Sequence, residues 1–450
     1  MNIVVIGSGT VGAAICIQLQ KEGHDITVVD KDYNAITELS NICDVYGIVG
    51  NGADISSLKK AGADKADLLI AVTSGDEVNI LCCSAARKLG TKHTIARVRN
   101  PEYSGFLDLM KNDMNLSLTI NPELSAAKEI YRILRFPSAT KIDTLCKGKV
   151  ELAEFTVTKD SMLSGKTLNE LRTQINIKFL VCCVLRNGDV HIPSGNFVLN
   201  EGDVIGVTAP DQELELFFKA IGAYKQPIKD VLIAGGGRTT YYLEELMKDS
   251  KIRSAVIEKD KLLCRDIAEQ YDCTVICEDG TNQELLLEEG LGKADAFLAL
   301  TDVDEENAIM SMYAKTLNTP KVVTMIRTLP FIEFFKGAGL ESIVSPKSST
   351  STSILKYVRA LANITDSEIE SLHRMMDGKM EAVEFKVKED IPGLTGISLK
   401  ALKRREGALV ACIMRGEDII IPSGDDKISV GDTVIVITTG GQMKSIKDIL

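Results

Sequence analysis

The chain has 450 residues, 45% hydrophobic, 26% charged and 5% aromatic, a globular composition that excludes a fibrous repeat or a disordered tail as its main content. Its 52 basic residues against 63 acidic ones leave a net charge of −11, the wrong sign for a general phosphate-backbone binder, so no nucleic acid partner is expected. At roughly 100 to 200 residues per domain it holds about two to four domains, and no run approaches the roughly 18 consecutive apolar residues of a membrane span.

Met1-Asn-Ile-Val-Val-Ile-Gly7 reads as a strand entering a turn, without the zones of a signal peptide, which places the chain in the cytosol. Expected strands at 3–6, 25–29, 44–48, 68–72 and 94–98 alternate with amphipathic stretches such as 13–22 and 33–42. That is the pattern of a doubly wound parallel sheet, with its ligand crevice beyond the carboxyl ends of the strands. Gly235-Gly-Gly237 follows the apolar run 231–234 as Gly7-x-Gly9 follows 3–6, at an offset of 235 minus 7, or 228. The same offset carries Asp30 onto Glu258, Asn51-Gly52 onto Asp279-Gly280, Thr73 onto Thr301, Glu77 onto Glu305, Asn79 onto Asn307 and Arg99 onto Arg327. The chain is built twice.

A second kind of unit follows each copy. It carries alternating strands at 150–158 and 380–387, then Leu163-Ser-Gly165 and Leu394-Thr-Gly396, Ile192-Pro-Ser-Gly195 and Ile421-Pro-Ser-Gly424, Glu201-Gly-Asp203 and Val430-Gly-Asp432. The fold class is therefore α/β: two tandem Rossmann-like doubly wound parallel-sheet domains at 1–140 and 226–366, each followed by a small α+β domain at 141–225 and 367–450. Seams are expected near Phe136-Pro137, from Tyr224 to Lys229, and from Arg359 to Asp366.

Gly7-x-Gly9-x-x-Gly12 lies between an expected strand and an expected helix, the context that gives this spacing meaning. Gly7 permits the tight turn, Gly9 lets backbone approach a pyrophosphate, Gly12 lets the helix lie close to the sheet, and the helix N-terminus offers N–H groups and a positive dipole. Asp30 ends the second strand, where a carboxylate suits ribose hydroxyls and repels a 2′-phosphate; NAD(H), ATP, ADP and AMP fit, and NADP is disfavoured. The competing reading is that the glycines close a turn and Asp30 caps the next helix. Asn51-Gly-Ala-Asp54 either faces adenine or forms a turn and N-cap. Thr73 and Ser74 end the fourth strand at the crevice, and Arg97 and Arg99 bracket the end of the fifth, where they suit phosphate oxygens or pair with a carboxylate such as Glu77.

The second loop keeps Gly235 and Gly237, but Thr240 replaces the third glycine and Thr239-Thr240-Tyr241-Tyr242 put bulk where the helix would approach the sheet. Glu258 and Arg327 are kept, and Met325 stands in the place of Arg97. That site binds a different nucleotide, binds weakly or is a relic. His24, His93, His191 and His373 read as surface, turn or connector residues rather than acid–base groups, so binding without chemistry is expected. Cys82/Cys83 and Cys182/Cys183 sit in apolar runs and read as buried thiols; Cys273 and Cys277, with no histidine nearby, read as core packing rather than a metal site.

The four-unit order, the glycine loop, Ile95-Ala-Arg-Val-Arg-Asn-Pro-Glu-Tyr103, Asn121-Pro122-Glu123 and the repeated Pro-Ser-Gly and Gly-Asp signatures resemble the TrkA family over essentially the whole chain. These are tandem RCK-domain (regulating potassium conductance) peripheral subunits of Trk potassium-uptake systems. The resemblance implies a cytosolic ring, a homotetramer of tandem chains, on the inner face of the membrane below an integral TrkH-like potassium-translocating subunit. Nucleotides in the parallel-sheet domains would change the ring's shape and gate the pore. It implies a first site lined by Gly7, Ser8, Gly9, Thr10, Val11, Asp30, Lys31, Asn51, Asp54, Thr73, Ser74, Arg97 and Arg99, and a second by Gly235, Gly237, Arg238, Glu258, Asp279, Thr301 and Arg327. A regulator of another cation transporter or antiporter, an NAD-dependent oxidoreductase and a structural scaffold are the competing readings.

Overall fold

The computed structural model of the chain describes residues 1–103, 116–146, 149–327, 332–362, 369–439 and 443–450; the distal part of the expected third seam lies outside them. Strand β1 (Asn2–Ile6), helix α1 (Thr10–Lys21), β2 (Asp25–Asp30), α2 (Tyr33–Ile42), β3 (Tyr46–Val49), α3 (Ile55–Lys60), β4 (Leu68–Ala71), α4 (Asp76–Leu89), β5 (His93–Arg97), β6 (Leu118–Ile120) and α5 (Pro122–Arg135) follow in order. The strands form one sheet, β3-β2-β1-β4-β5-β6, and every pairing in it is parallel. β4 is buried along its whole length and β1 from Ile3 onward, because helices cover both faces of a parallel sheet. The sheet reverses direction of growth between β1 and β4, which opens a crevice at their carboxyl ends.

Two details differ from the sequence expectation. The third strand starts at Tyr46 rather than 44, since Cys43 is the C-cap of α2 and the chain needs two residues to reach the sheet edge. The sixth strand, three residues long, is too short to show alternation.

The second copy repeats the first: β12 (Asp230–Ala234), α8 (Arg238–Met247), β13 (Arg253–Ile257), α9 (Lys261–Gln270), β14 (Thr274–Ile276), α10 (Gln283–Glu288), β15 (Ala296–Ala299), α11 (Asp304–Thr316), β16 (Lys321–Met325), α12 (Ile332–Gly337), β17 (Ser342–Val344) and α13 (Pro346–Ala362). Between the copies come β7 (Lys141–Leu145), β8 (Val150–Thr156), α6 (Leu168–Gln174), β9 (Leu180–Arg186), β10 (Asp189–His191), β11 (Val204–Pro210) and α7 (Asp211–Ala220). After the second copy come β18 (Ile369–Met375), β19 (Met380–Lys386), β20 (Ala408–Arg415), β21 (Asp418–Ile420) and β22 (Thr433–Thr438). The second parallel sheet has the order β14-β13-β12-β15-β16-β17; the antiparallel sheets run β10-β9-β11-β8-β7 and β18-β19-β22-β20-β21.

The chain divides into two units, one of residues Met1–Ile130 and Lys229–Leu355, the other of Tyr131–Ile228 and Lys356–Leu450. Within the second unit the two antiparallel modules meet through contacts that repeat at an offset of 380 minus 150, or 230. The Cys146 N–H donates to Glu384 Oε2 at 3.3 Å, and its counterpart Met376 N–H donates to Glu154 Oε1 at 3.2 Å. Cys146 and Met376 both adopt positive φ, 50° and 48°, so each turn aims its N–H at the opposite module's buried glutamate. Like an isologous dimer interface, this one uses the same patch from both sides. The repeated Gly-Asp signature has a packing cause: Asp203 and Asp432, each 1% exposed, accept bidentate hydrogen bonds from Arg186 and Arg415.

Candidate functional site

The first glycine loop leaves β1 through Gly7, whose φ of +101° and whose N–H bonded to Val29 O at 2.9 Å make the turn. A Cβ at Gly7 would lie 3.1 Å from Thr73 N, so this turn rests on the end of β4. Gly9 is the N-cap of α1 without a side-chain cap, and a Cβ there would meet nothing within 4 Å. Gly9 thus leaves open space beside the N-terminus of α1, where the first N–H groups of a helix have no partner within it. At Gly12 a Cβ would sit 1.9 Å from Gly7 O, which explains the third glycine: the helix passes directly over the turn.

Asp30 ties this loop to β2. Its Oδ2 accepts from Ser8 N at 2.6 Å and Ser8 Oγ at 2.8 Å, and its Oδ1 accepts from Asp32 N at 3.0 Å. Partial burial works against its charge, yet the Ser8 and Asp32 N–H groups and the Ser8 hydroxyl hold its carboxyl below the usual carboxylate range. Asp30 does not cap α2; Asp32 does, accepting from Asn34 N and Ala35 N. Oδ2 is filled by its two donors, while Oδ1, with one, keeps acceptor capacity for a ribose hydroxyl. Lys31, next in the chain, is exposed.

Asn51 and Asp54 follow β3 and are engaged in local structure. Asn51 Oδ1 accepts from Ala53 N at 3.1 Å, and Asp54 caps α3. Hydrogen bonds from the Ser56 hydroxyl, then the Ser57 N–H, bring the Asp54 carboxyl down to about 2.

The ends of β4 and β5 carry the cationic side of the crevice. Arg97 donates to Thr73 O through Nη2, while its Nε is buried with no hydrogen-bond partner. Burial, then the charge of Arg99, pushes its guanidinium down to about 10, and Arg238 of the second loop adds to the repulsion. Arg99 instead pairs with Asp76, Nε to Oδ1 at 3.5 Å, and donates to Ser74 O. Glu77 partners neither arginine, because it accepts from the Tyr103 hydroxyl.

Sequence reasoning missed the frame beneath these groups. Asn79, fully buried on α4, donates to Thr73 O at 3.1 Å and Arg97 O at 2.9 Å and accepts from Thr73 N and Oγ1 at 2.8 and 2.7 Å. Asp76, 6% exposed, accepts from Arg99 N and Asn100 N at 2.7 and 2.8 Å. The signal was present in the repeat, since Asn79 and Asn307 are equivalent, but an amphipathic helix pattern does not show that one polar residue points inward.

In the second half Asn307 repeats the strut, binding Thr301 N, Oγ1 and O and Met325 O. Asp279 accepts from Thr281, and Asn282 takes the capping role of Asp54. Glu258 Oε2 accepts from Gly236 N at 2.7 Å. Glutamate is one methylene longer than aspartate, and its Cβ and Cγ fill the space below the loop; a Cβ at Gly236 would lie 3.0 Å from both. Serine with aspartate and glycine with glutamate are therefore matched pairs.

Thr240 does not wedge the second loop open as an uncompensated bulk, because its Oγ1 donates to Gly235 O at 2.6 Å. Gly237 caps α8 as Gly9 caps α1, and Arg238 beside it is exposed. Met325, fully buried where the first half has Arg97, lies 3.8 Å through its sulfur from Thr239 Oγ1. Arg327 is paired with Asp302 at 2.6 Å, an acid where the first half has Ser74. The halves also touch: the Tyr242 hydroxyl donates to Arg99 O and accepts from Asn121 Nδ2, both at 2.8 Å.

The parallel-sheet modules hold two of the four histidines, His24 and His93. His93 is the first residue of β5, at the amino end of the strand. His373 is in β18 rather than a polar connector, and its Nδ1 is 3.2 Å from Asp143 Oδ1. No helix among the described residues is long and apolar enough to cross a membrane, and no group of three or more His, Cys, Asp or Glu among them is placed to hold a metal ion.

Residues 3–118 and 231–346 match the TrkA-N domain, and 152–222 and 382–450 match the TrkA-C domain. A Trk system potassium uptake protein TrkA homolog of Archaeoglobus fulgidus is 31% identical over 100% of both chains. TrkA homolog 1 of Methanosarcina mazei is 32% identical over 97% of each. The fold is shared with a solved GsuK channel bound to NAD, at a TM-score of 0.64 and 19% identity over 97% of this chain and 76% of that one. The tandem domain matches and the full-length relatives together show that this chain belongs to the TrkA family.

Proposed function

We propose that the chain is a nucleotide-sensing, non-enzymatic regulatory subunit of a Trk-type potassium-uptake system. The observation that carries this reading is Arg97: a mostly buried guanidinium whose Nε has no partner, beside a glycine loop with room at Gly9. Glu123 and Asp76 offset part of the cost of burying this cation, and a phosphate entering at the N-terminus of α1 would give its unpartnered Nε an acceptor. Asp30 receives the ribose, Arg97 and the loop N–H groups the phosphates, so an adenine nucleotide or NAD(H) fits the first half. The names of the relatives support potassium uptake as the process served, and a NAD-bound structural neighbour supports the ligand class. The module boundaries at 140, 225 and 366, a homotetrameric ring and a TrkH-like membrane partner belong to the same reading.

Binding gates only by favouring one ring conformation; a hundredfold difference in affinity supplies about 2.7 kcal/mol per site. Calorimetric titration of NADH, NAD, ATP and ADP into the wild type, Arg97→Met and Asp30→Ala tests this. Arg97→Met is expected to lose at least tenfold in affinity, about 1.4 kcal/mol, without lowering the ligand-free melting temperature. If the folded wild type binds none of the four, or both variants bind as tightly as it does, the reading fails.

A further inference from the structure

Cys264 and Cys277 are brought together at the carboxyl end of the second parallel sheet. Ile257 of β13 pairs with Ile276 of β14, and Glu258 N donates to Ile276 O at 3.0 Å, so Cys277 stands beside Glu258 across the ladder. From α9, Cys264 places its sulfur 3.1 Å from Glu258 O. The two thiols converge on one residue, Cys264 through its sulfur on the Glu258 carbonyl and Cys277 through its place in the ladder beside Glu258. Cys277 is exposed and Cys264 is 7% exposed, so an oxidant reaches one sulfur and finds the other immediately behind it. At the 228 offset the first half has Ile36 and Val49, which have no thiol chemistry. Elsewhere, Cys146 and Cys412 are also in contact, but both are fully buried.

We propose that Cys264 and Cys277 are a modification site, forming a reversible disulfide when the protein meets a hydroperoxide. The Cys277 thiolate attacks a peroxide oxygen; the O–O bond breaks, the alkoxide leaves and takes a proton as alcohol, and Cys277 becomes the sulfenic acid. The sulfur of Cys264, giving up its proton, attacks the sulfenic sulfur and displaces hydroxide, which leaves as water. Two thiols are oxidised by two electrons, and the peroxide is reduced to one alcohol and one water. Burial and the neighbouring Cys277 thiol push the Cys264 thiol up, which disfavours it as the group that attacks the oxidant and leaves its position behind Cys277 as what fits it to the second, intramolecular step. The product would staple the first turn of α9 to the end of β14, on either side of the Glu258 backbone.

Tryptic digestion separates the possibilities, because Cys264 alone lies in Leu262–Arg265 while Cys273 and Cys277 share Asp266–Lys293. The full chain is treated with tert-butyl hydroperoxide, blocked with iodoacetamide and mapped by mass spectrometry without reduction. A cross-link between those two peptides is expected in the wild type and in Cys273→Ser, lost in Cys277→Ser and reversed by dithiothreitol, with Cys146 and Cys412 still reduced. An intrapeptide Cys273–Cys277 bond, a cross-link that survives Cys277→Ser, over-oxidation of Cys277 without any cross-link, or no oxidation at all would each overturn the proposal.

Discussion

The two parallel-sheet modules share a frame and differ in what the frame presents. Asn79 and Asn307 make the same four hydrogen bonds at the ends of the fourth and fifth strands, and Asp30 and Glu258 both tie the loop to the second strand. Around that frame the first half has an unpartnered guanidinium nitrogen at Arg97 where the second has the buried Met325, and Arg99 pairs with Asp76 on α4 where Arg327 pairs with Asp302 in the loop before α11. Both halves pair their second arginine with an acid, and what the first crevice alone keeps is a guanidinium with an open nitrogen where the second has a thioether. Duplication preserved what holds the crevice and released what fills it.

The largest expected effect tests the shared part. Asn79→Ala and Asn307→Ala each remove four hydrogen bonds at a fully buried site and leave the Thr73 or Thr301 N–H without its acceptor, and each should cost about 3 kcal/mol. Hydrogen exchange should show the loss centred on β4 and β5 in one case, β15 and β16 in the other. If either variant is milder than the other by more than about 1 kcal/mol, the frames are not equivalent.

A smaller contrast is expected at the third loop position. Gly12→Ala forces a Cβ to within 1.9 Å of the Gly7 carbonyl and should cost about 2 kcal/mol, as overpacking against backbone does. Thr240→Ala removes only the hydroxyl bonded to Gly235 O and should cost about 1 kcal/mol. The two measured in one background, by thermal unfolding, should keep that order; reversal would mean that the second loop depends on its threonine bond more than the first on its missing side chain.

Most of the architecture was legible because apolar runs, glycines and their repetition are one-dimensional signals. The 228 offset, the strand–loop–helix context of Gly7 to Gly12 and the buried run of β4 lie along the chain. The pairing of side chains does not. That Arg99 takes Asp76 while Arg97 is left open depends on which way two residues on one strand are turned, and Glu77, one position from Asp76, was as good a partner on paper. Thr240 appeared to spoil the loop because a sequence shows its bulk but not that its hydroxyl meets a carbonyl. The match of Ser8 to Asp30 and of Gly236 to Glu258 needed the third dimension, since the matched residues are 22 positions apart.

The subtlest consequence of the comparison is in acid. Asp30 has a hydroxyl donor, from Ser8, that the loop residue Gly236 cannot give Glu258. A carboxyl whose folded-state value lies below its unfolded one, about 3.9, adds stability above that pH and loses it as pH falls through the folded value. Asp30→Asn should therefore narrow the gap between variant and wild type as urea unfolding is repeated from pH 6 down toward about pH 3. Because Asp30 is partly solvated, the change should stay under about 1 kcal/mol. Ser8→Ala removes one donor and leaves the Ser8 and Asp32 N–H groups, so its acid dependence should fall between those of the wild type and Asp30→Asn. If Ser8→Ala matches the wild type at every pH, the hydroxyl adds nothing to the charged carboxylate, and the first loop's serine is there for its fit beside the shorter acid alone.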